Sequence, residues 1–153
     1  MLSYFAEIVF MRFSMRRYTK IALLNLLLVA AIGVILRYKI AYSLPFIDQK
    51  FLLHGHSHFA FAGWVTHGLM ILLLQYLANK TNDTVFKKYN WIIIANLITA
   101  YGMLVSFPLQ GYGLFSIIFS TLSIFVSYAF AIVYWKDLNK LPEKSIAHWW
   151  IKA

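Results

Sequence analysis

The chain has 153 residues, 61% of them hydrophobic and 12% charged, with 14 Lys and Arg against five Asp and Glu. A soluble domain carries about twice that charged fraction, so the composition excludes one and leaves an α-helical membrane protein. The formal charge of +9 does not mark a nucleic-acid binder, because the basic residues sit in short gaps between apolar blocks rather than on one soluble face.

The blocks are continuous, without the alternation that a transmembrane β-barrel strand requires. There is no cysteine. That removes disulfides, iron–sulfur clusters, thiolate–zinc sites and covalent c-type haem attachment. Imidazole and thioether remain as the strong ligands. The five carboxylates, Glu7, Asp48, Asp83, Asp137 and Glu143, all lie outside the apolar blocks. A carboxylate proton relay within the bilayer is therefore not expected.

Residues 1–20 have a weak apolar pattern and a basic end. They read as a cytoplasmic or interfacial segment, either an amphipathic helix or an extension ahead of Met11 or Met15. The order of charge and small residues does not fit a cleavable signal. Four spanning helices follow, over about residues 21–38, 51–77, 89–107 and 112–135. Each is close to or above the roughly 20 residues that cross a hydrocarbon core. Pro108, Leu109, Gln110 and Gly111 predict a tight reversal, making the last two spans an antiparallel hairpin.

Residues 136–153 form the tail. From Pro142 onwards a helix start and a Trp149–Trp150 belt appear, so the tail either lies along the interface or begins a fifth span. In the second case the chain is the first part of a longer helical protein. The predicted fold is thus an all-α, integral membrane four-helix bundle, residues 21–135, with the lipid bilayer as its first partner.

Eleven of the 14 basic residues fall before the first span, between the second and third, or after the fourth. Arg37, Lys39 and Lys50 fall on the other side. The positive-inside rule places both termini in the cytoplasm and the start of the second span at the outer surface.

That second span holds four of the five histidines: His54, His56, His58 and His67, with no Asp, Glu, Lys or Arg between Lys50 and Lys80. Ionisable side chains inside a membrane are costly, and their presence marks a functional site. On an ideal helix they fall on two faces. His54 and His58, four apart, stack together. His56 and His67, eleven apart, differ by about 20° in rotation and about 16 Å along the axis. His56, Ala60, Gly63 and His67 form a stripe whose small residues let a neighbouring helix or a flat macrocycle approach.

Similar small stripes occur in the third span (Ala95, Thr99, Gly102, Ser106) and the fourth (Ser116, Ser120, Ser123, Ser127). These predict helix packing, with hydroxyls bonded back to their own carbonyls. Asn25 and Asn96 predict interhelical hydrogen bonds of about 1 kcal/mol each.

A histidine cluster of this kind predicts a metal or haem site. The i, i+4 pair His54 and His58 suits a copper or zinc ion with further ligands from elsewhere. A haem needs axial ligands on opposite sides of its plane, so one helix supplies only one. The other then comes from a second helix, of a missing part or another chain. The only other histidine, His148, falls at the cytoplasmic side.

The run His56-Ser57-His58-Phe59-Ala60-Phe61-Ala62-Gly63-Trp64-Val65 resembles a pattern in small membrane proteins of the haem-copper oxidase type. More distantly it resembles the second helix of subunit I of cytochrome c oxidases and nitric oxide reductases. Tyr38-Lys39-Ile40 and Leu44-Pro45-Phe46 add a likeness to the bacterial short-oxidase group. The resemblance covers about thirty residues, 37–69. In that superfamily this helix carries a low-spin haem ligand near the outer surface, the side that the charge distribution assigns to the cluster.

The resemblance implies a b-type haem and respiratory electron transfer in a bacterial inner membrane. It carries the ligand role onto His58 first, then His56 and His54. His67, before Gly68 and an apolar run, echoes a second oxidase pattern. Arg37 would pair with haem propionates or simply snorkel to the interface. The superfamily's binuclear centre takes histidines from later helices, and the third and fourth spans contain none. The chain alone is therefore not expected to reduce oxygen or nitric oxide. It is expected to work with other membrane subunits or as a homodimer. The competing readings are a copper or zinc protein using His54, His56 and His58, and a structural subunit.

Overall fold

The computed structural model describes the backbone of residues 2–81 and 85–141, and side chains from residue 15 onwards within those limits. The expected tail helix and His148 lie outside the described residues. Four helices account for nearly all the rest: α1 (Leu2–Ala41), α2 (Gln49–Lys80), α3 (Val85–Gln110) and α4 (Leu114–Asn139). All four include a stretch long and apolar enough to cross a membrane, beginning at Met15 in α1. The all-α four-helix bundle expected from composition is the observed architecture.

No break separates residues 1–20 from the first span. Neither proline nor glycine occurs before Gly33, so nothing stops the helix, and α1 runs for 40 residues. At 1.5 Å per residue that is about 60 Å, twice the hydrocarbon thickness. Part of α1 therefore extends beyond the apolar layer.

The helices α2 and α3 are central. α1 lies along α2, and α4 lies along α3. The spanning windows of α1 and α4 are each only 11% buried, against 33% and 44% for α2 and α3. The outer faces of α1 and α4 thus present apolar side chains such as Leu27, Val34, Phe125 and Ile132 outwards. Such faces require lipid or other membrane protein around them.

All four helices meet at one end of the bundle. Tyr18, Leu74, Tyr89, Phe130 and Leu138 belong to one buried cluster there. Its polar tips are paired. Tyr134 Oη donates to the Leu73 carbonyl at 3.2 Å. Tyr89 Oη donates to Asp137 at 2.9 Å. Lys88 and Lys140 close on the same carboxylate. Tyr18 Oη donates to Asn90.

At the opposite end, Asp48 caps α2 by accepting the Phe51 N–H at 2.8 Å. The α3–α4 reversal differs in detail from the expected one. Pro108 is inside the last turn of α3, and the turn proper is Gly111 to Gly113. Gly111 takes the left-handed conformation, φ 59°, and the Phe51 ring packs where its Cβ would be. Gly113 has no side chain to cap α4. With its amide oxygen facing the donors, Gln110 supplies the cap, accepting from Phe115 and Ser116 N–H at 3.1 and 3.2 Å.

Candidate histidine site

The helix α2 is not uniform. Residues Ala60–Thr66 form a π-helical turn directly after the histidine run. The wider i→i+5 turn disturbs the regular ladder and leaves carbonyls for outside donors. Asn25 of α1 donates to the Gly63 carbonyl at 2.5 Å. Asn96 of α3 donates to the Ala62 carbonyl at 3.1 Å. Asn25 Oδ1 in turn accepts from Tyr101 Oη at 2.6 Å. Both asparagines are fully buried. They are the interhelical hydrogen bonds read from the sequence, and they converge on one distorted turn.

Gly63 is needed at that turn for a second reason. A Cβ there would stand 2.6 Å from the ring of Phe59. The fully buried Phe59 therefore folds over Gly63, with Tyr101 at 5.2 Å between ring centroids.

The histidines divide between two faces, as their spacing predicts. His54 and His58 point towards the α3–α4 reversal. The His58 ring stacks on Phe107, centroids 4.4 Å apart and planes 10° apart. The His54 ring meets Tyr112 edge-on at 4.7 Å. His56 and His67 face α1. A Cβ on Gly33 would touch His56 Cε1 at 3.4 Å. His67 is fully buried, with Nε2 3.3 Å from the Tyr18 carbonyl oxygen and its ring edge-on to Tyr18.

Three of the four imidazoles keep a buried ring nitrogen without a hydrogen-bond partner: His54 Nε2, His56 Nδ1 and His67 Nδ1. Buried polar atoms are almost always paired, so three orphans on one helix are unusual. Among the described residues, no three His, Asp or Glu side chains stand together as a metal site. The reason is the two-face division. His56 is turned towards α1 while His54 and His58 are turned towards α3. Arg37 is exposed on α1 at the histidine end. Lys39 is taken up by the Leu44 carbonyl at 2.7 Å.

Phe107, Tyr112 and Tyr101 were not legible as site residues. Tyr101 carried the clearest signal, a phenol in the middle of a span. Nothing in Ala60–Thr66 announces a π turn. Comparisons of the chain with protein families, with characterised proteins and with solved structures return no match.

Proposed function

We propose that this chain is a haem-binding integral membrane component of respiratory electron transfer. The observation that carries the reading is the row of imidazoles on one apolar helix, of which His54 Nε2, His56 Nδ1 and His67 Nδ1 are buried without a partner. A neutral imidazole nitrogen is a haem ligand, and the donor set of this chain, without thiolates, fits a b-type haem. His58 remains the first candidate, because Phe107 holds its ring in a fixed orientation, which favours ligation. His54 and His56 follow. Bound haem would supply one-electron transfer there. Any ligand beyond these histidines would have to come from another copy of the chain or another subunit, for which the apolar flanks of α1 and α4 leave room. The three-histidine copper or zinc site draws less support, because His56 faces away from the other two.

The test is the optical spectrum of the purified full chain. A sharp Soret band with reducible α and β bands is expected, and it should fade most in His58→Ala and least in His67→Ala. Stoichiometric copper or zinc without haem would overturn the proposal, as would equal haem retention in all four single variants.

We further propose that the termini are cytoplasmic and the histidine end faces outwards, in a bacterial inner membrane. The basis is the eleven-to-three split of Lys and Arg. Phe46, 80% exposed between α1 and α2, provides the probe. A Phe46→Cys chain should react with an impermeant thiol reagent only from outside. Reaction only from the cytoplasm would invert the topology.

A further inference from the structure

The outward face of α4 carries two hydroxyls that the protein leaves unpaired. Tyr128 is 63% exposed, and Thr121, seven residues before it, is exposed on the same side. Neighbouring Ser120, Ser123 and Ser127 each donate to a carbonyl of α4 itself. Ser120 takes the Ile117 carbonyl, the one that a back-bonded Thr121 would use. Among the described residues, neither Thr121 nor Tyr128 has a hydrogen-bond partner. Tyr128 stands about 21 Å from the Leu114 end of α4 and about 16 Å from the Asn139 end, at 1.5 Å per residue. Both hydroxyls therefore lie inside a hydrocarbon layer about 30 Å thick. A long helix side chain slants towards the N-terminal end of its helix. That direction keeps the Tyr128 ring at mid-depth instead of carrying its hydroxyl to the nearer surface. Lipid tails offer no partner, so each hydroxyl is a cost there.

The two hydroxyls belong to a longer pattern. Leu114, Ile118, Thr121, Phe125, Tyr128 and Ile132 recur at alternating spacings of four and three, and all six are exposed. That rhythm is the seam of a left-handed helix pair. It runs for about 27 Å, nearly the whole hydrocarbon layer. The other flank is different. Between Leu23 and Ile35 every exposed side chain of α1 is apolar, so lipid alone satisfies it.

We propose that this seam is a homodimer interface, in which α4 packs against α4 of a second copy and Thr121 and Tyr128 each hydrogen-bond their counterpart there. The pattern selects a second copy. Identical chains carry identical charge distributions and insert the same way up, so the paired α4 helices run parallel about a two-fold axis along the membrane normal. In such a pair each layer of the seam meets itself. A hydroxyl is both donor and acceptor, so the same residue of a second copy matches it at both depths at once. The interface does not depend on the histidines binding haem.

The chain has no cysteine, so single cysteines report the contact cleanly. In liposomes treated with a short bis-maleimide, full-length Leu114→Cys, on the seam, should give covalent dimers. Phe115→Cys, at the same depth but turned off the seam, and Leu27→Cys on α1 should not. Energy transfer between fluorescently labelled copies, followed as lipid is added, gives the dimer dissociation constant. Tyr128→Phe keeps the ring and removes the hydroxyl, and Thr121→Val keeps the shape. Each should weaken the dimer about three- to tenfold, the size of one hydrogen bond between membrane helices. Both changes are on an exposed face, so helix content should not alter. A monomer at every lipid dilution would overturn the assignment. So would equal cross-linking of Leu114→Cys and Phe115→Cys, or a dimer that neither Tyr128→Phe nor Thr121→Val weakens. Linkage of Leu114→Cys to a different protein alone, in native membranes, would give the face to another subunit and overturn it too. Haem content measured on the same samples reports separately on the histidine proposal.

Discussion

The two ends of the bundle treat buried polar groups differently. Around Tyr18, Tyr89 and Tyr134, four helices close on one another and each phenol reaches a partner. Among the described residues, only His67 Nδ1 is left over there. At the histidine end, Gln49 Oε1, His54 Nε2, His56 Nδ1 and Ser106 Oγ are all buried and unpaired. The large apolar cluster is confined to the first end. One half has the packing of a finished core. The other holds groups whose partners the described residues do not supply. Native proteins retain unpaired buried groups chiefly where ligands or partners complete them.

The comparison predicts an unequal response to truncation. Leu74 is fully buried in the closed end, whereas Leu23 is 60% exposed on α1. Leu74→Ala should cost about 2–5 kcal/mol, from lost packing and the cavity left behind. Leu23→Ala should stay within about 0.5 kcal/mol. Reversible unfolding of the full chain in mixed micelles reads both. Similar losses would mean that stability is not concentrated in that half.

Between the ends stands the π turn, which Asn25 holds from α1 and Asn96 from α3. Asn25→Ala frees two buried groups at once, the Gly63 carbonyl and the Tyr101 hydroxyl. Hydrogen bonds between membrane helices average about 0.6 kcal/mol and reach about 1.7. Leaving a buried group unpaired costs about 1–3 kcal/mol. A loss of about 1–3 kcal/mol is expected, intermediate between Leu74→Ala and a surface change. Asn96→Ala should cost less, because its Oδ1 already lacks a partner. If both variants unfold like the parent chain, the two asparagines do not secure the turn.

The sequence exposed the features governed by composition and period. Continuous apolar blocks located all four helices, since spanning length and hydropathy decide that level. The i, i+4 rule separated His54 and His58 from His56 and His67. Midspan asparagines have few ways to be satisfied, and this made Asn25 and Asn96 readable as helix-to-helix bonds. The back-bonding expected of small hydroxyls is observed at Ser120, Ser123 and Ser127.

Tertiary features were not readable. The continuity of α1 through residue 20 was obscured by basic residues that a helix tolerates as well as a loop does. Pro108 suggested a turn, yet it sits in a helix end, with Gly55 of α2 packed close to its ring. Stacking of His58 on Phe107 joins residues 49 positions apart, which no local pattern reports. Ser106 belongs to the same small stripe as Thr99 but behaves differently. Thr99 donates to the Asn96 carbonyl at 3.0 Å, and Ser106 donates to nothing.

That difference yields the smallest predicted effect, and one whose sign is informative. In the ligand-free chain, Ser106→Ala removes a buried hydroxyl that has no partner and adds no bulk. A buried unpaired hydroxyl is a net cost, so the substitution should stabilise the chain, by about 1 kcal/mol. Thr99→Ala, which removes a bonded hydroxyl from the same helix face, should not stabilise it. The unfolding midpoints of the two variants and the parent chain in mixed micelles read both effects. A Ser106→Ala chain that is less stable than the parent would show that the hydroxyl is satisfied within the protein, and the histidine half would then be more nearly complete than its unpaired atoms imply.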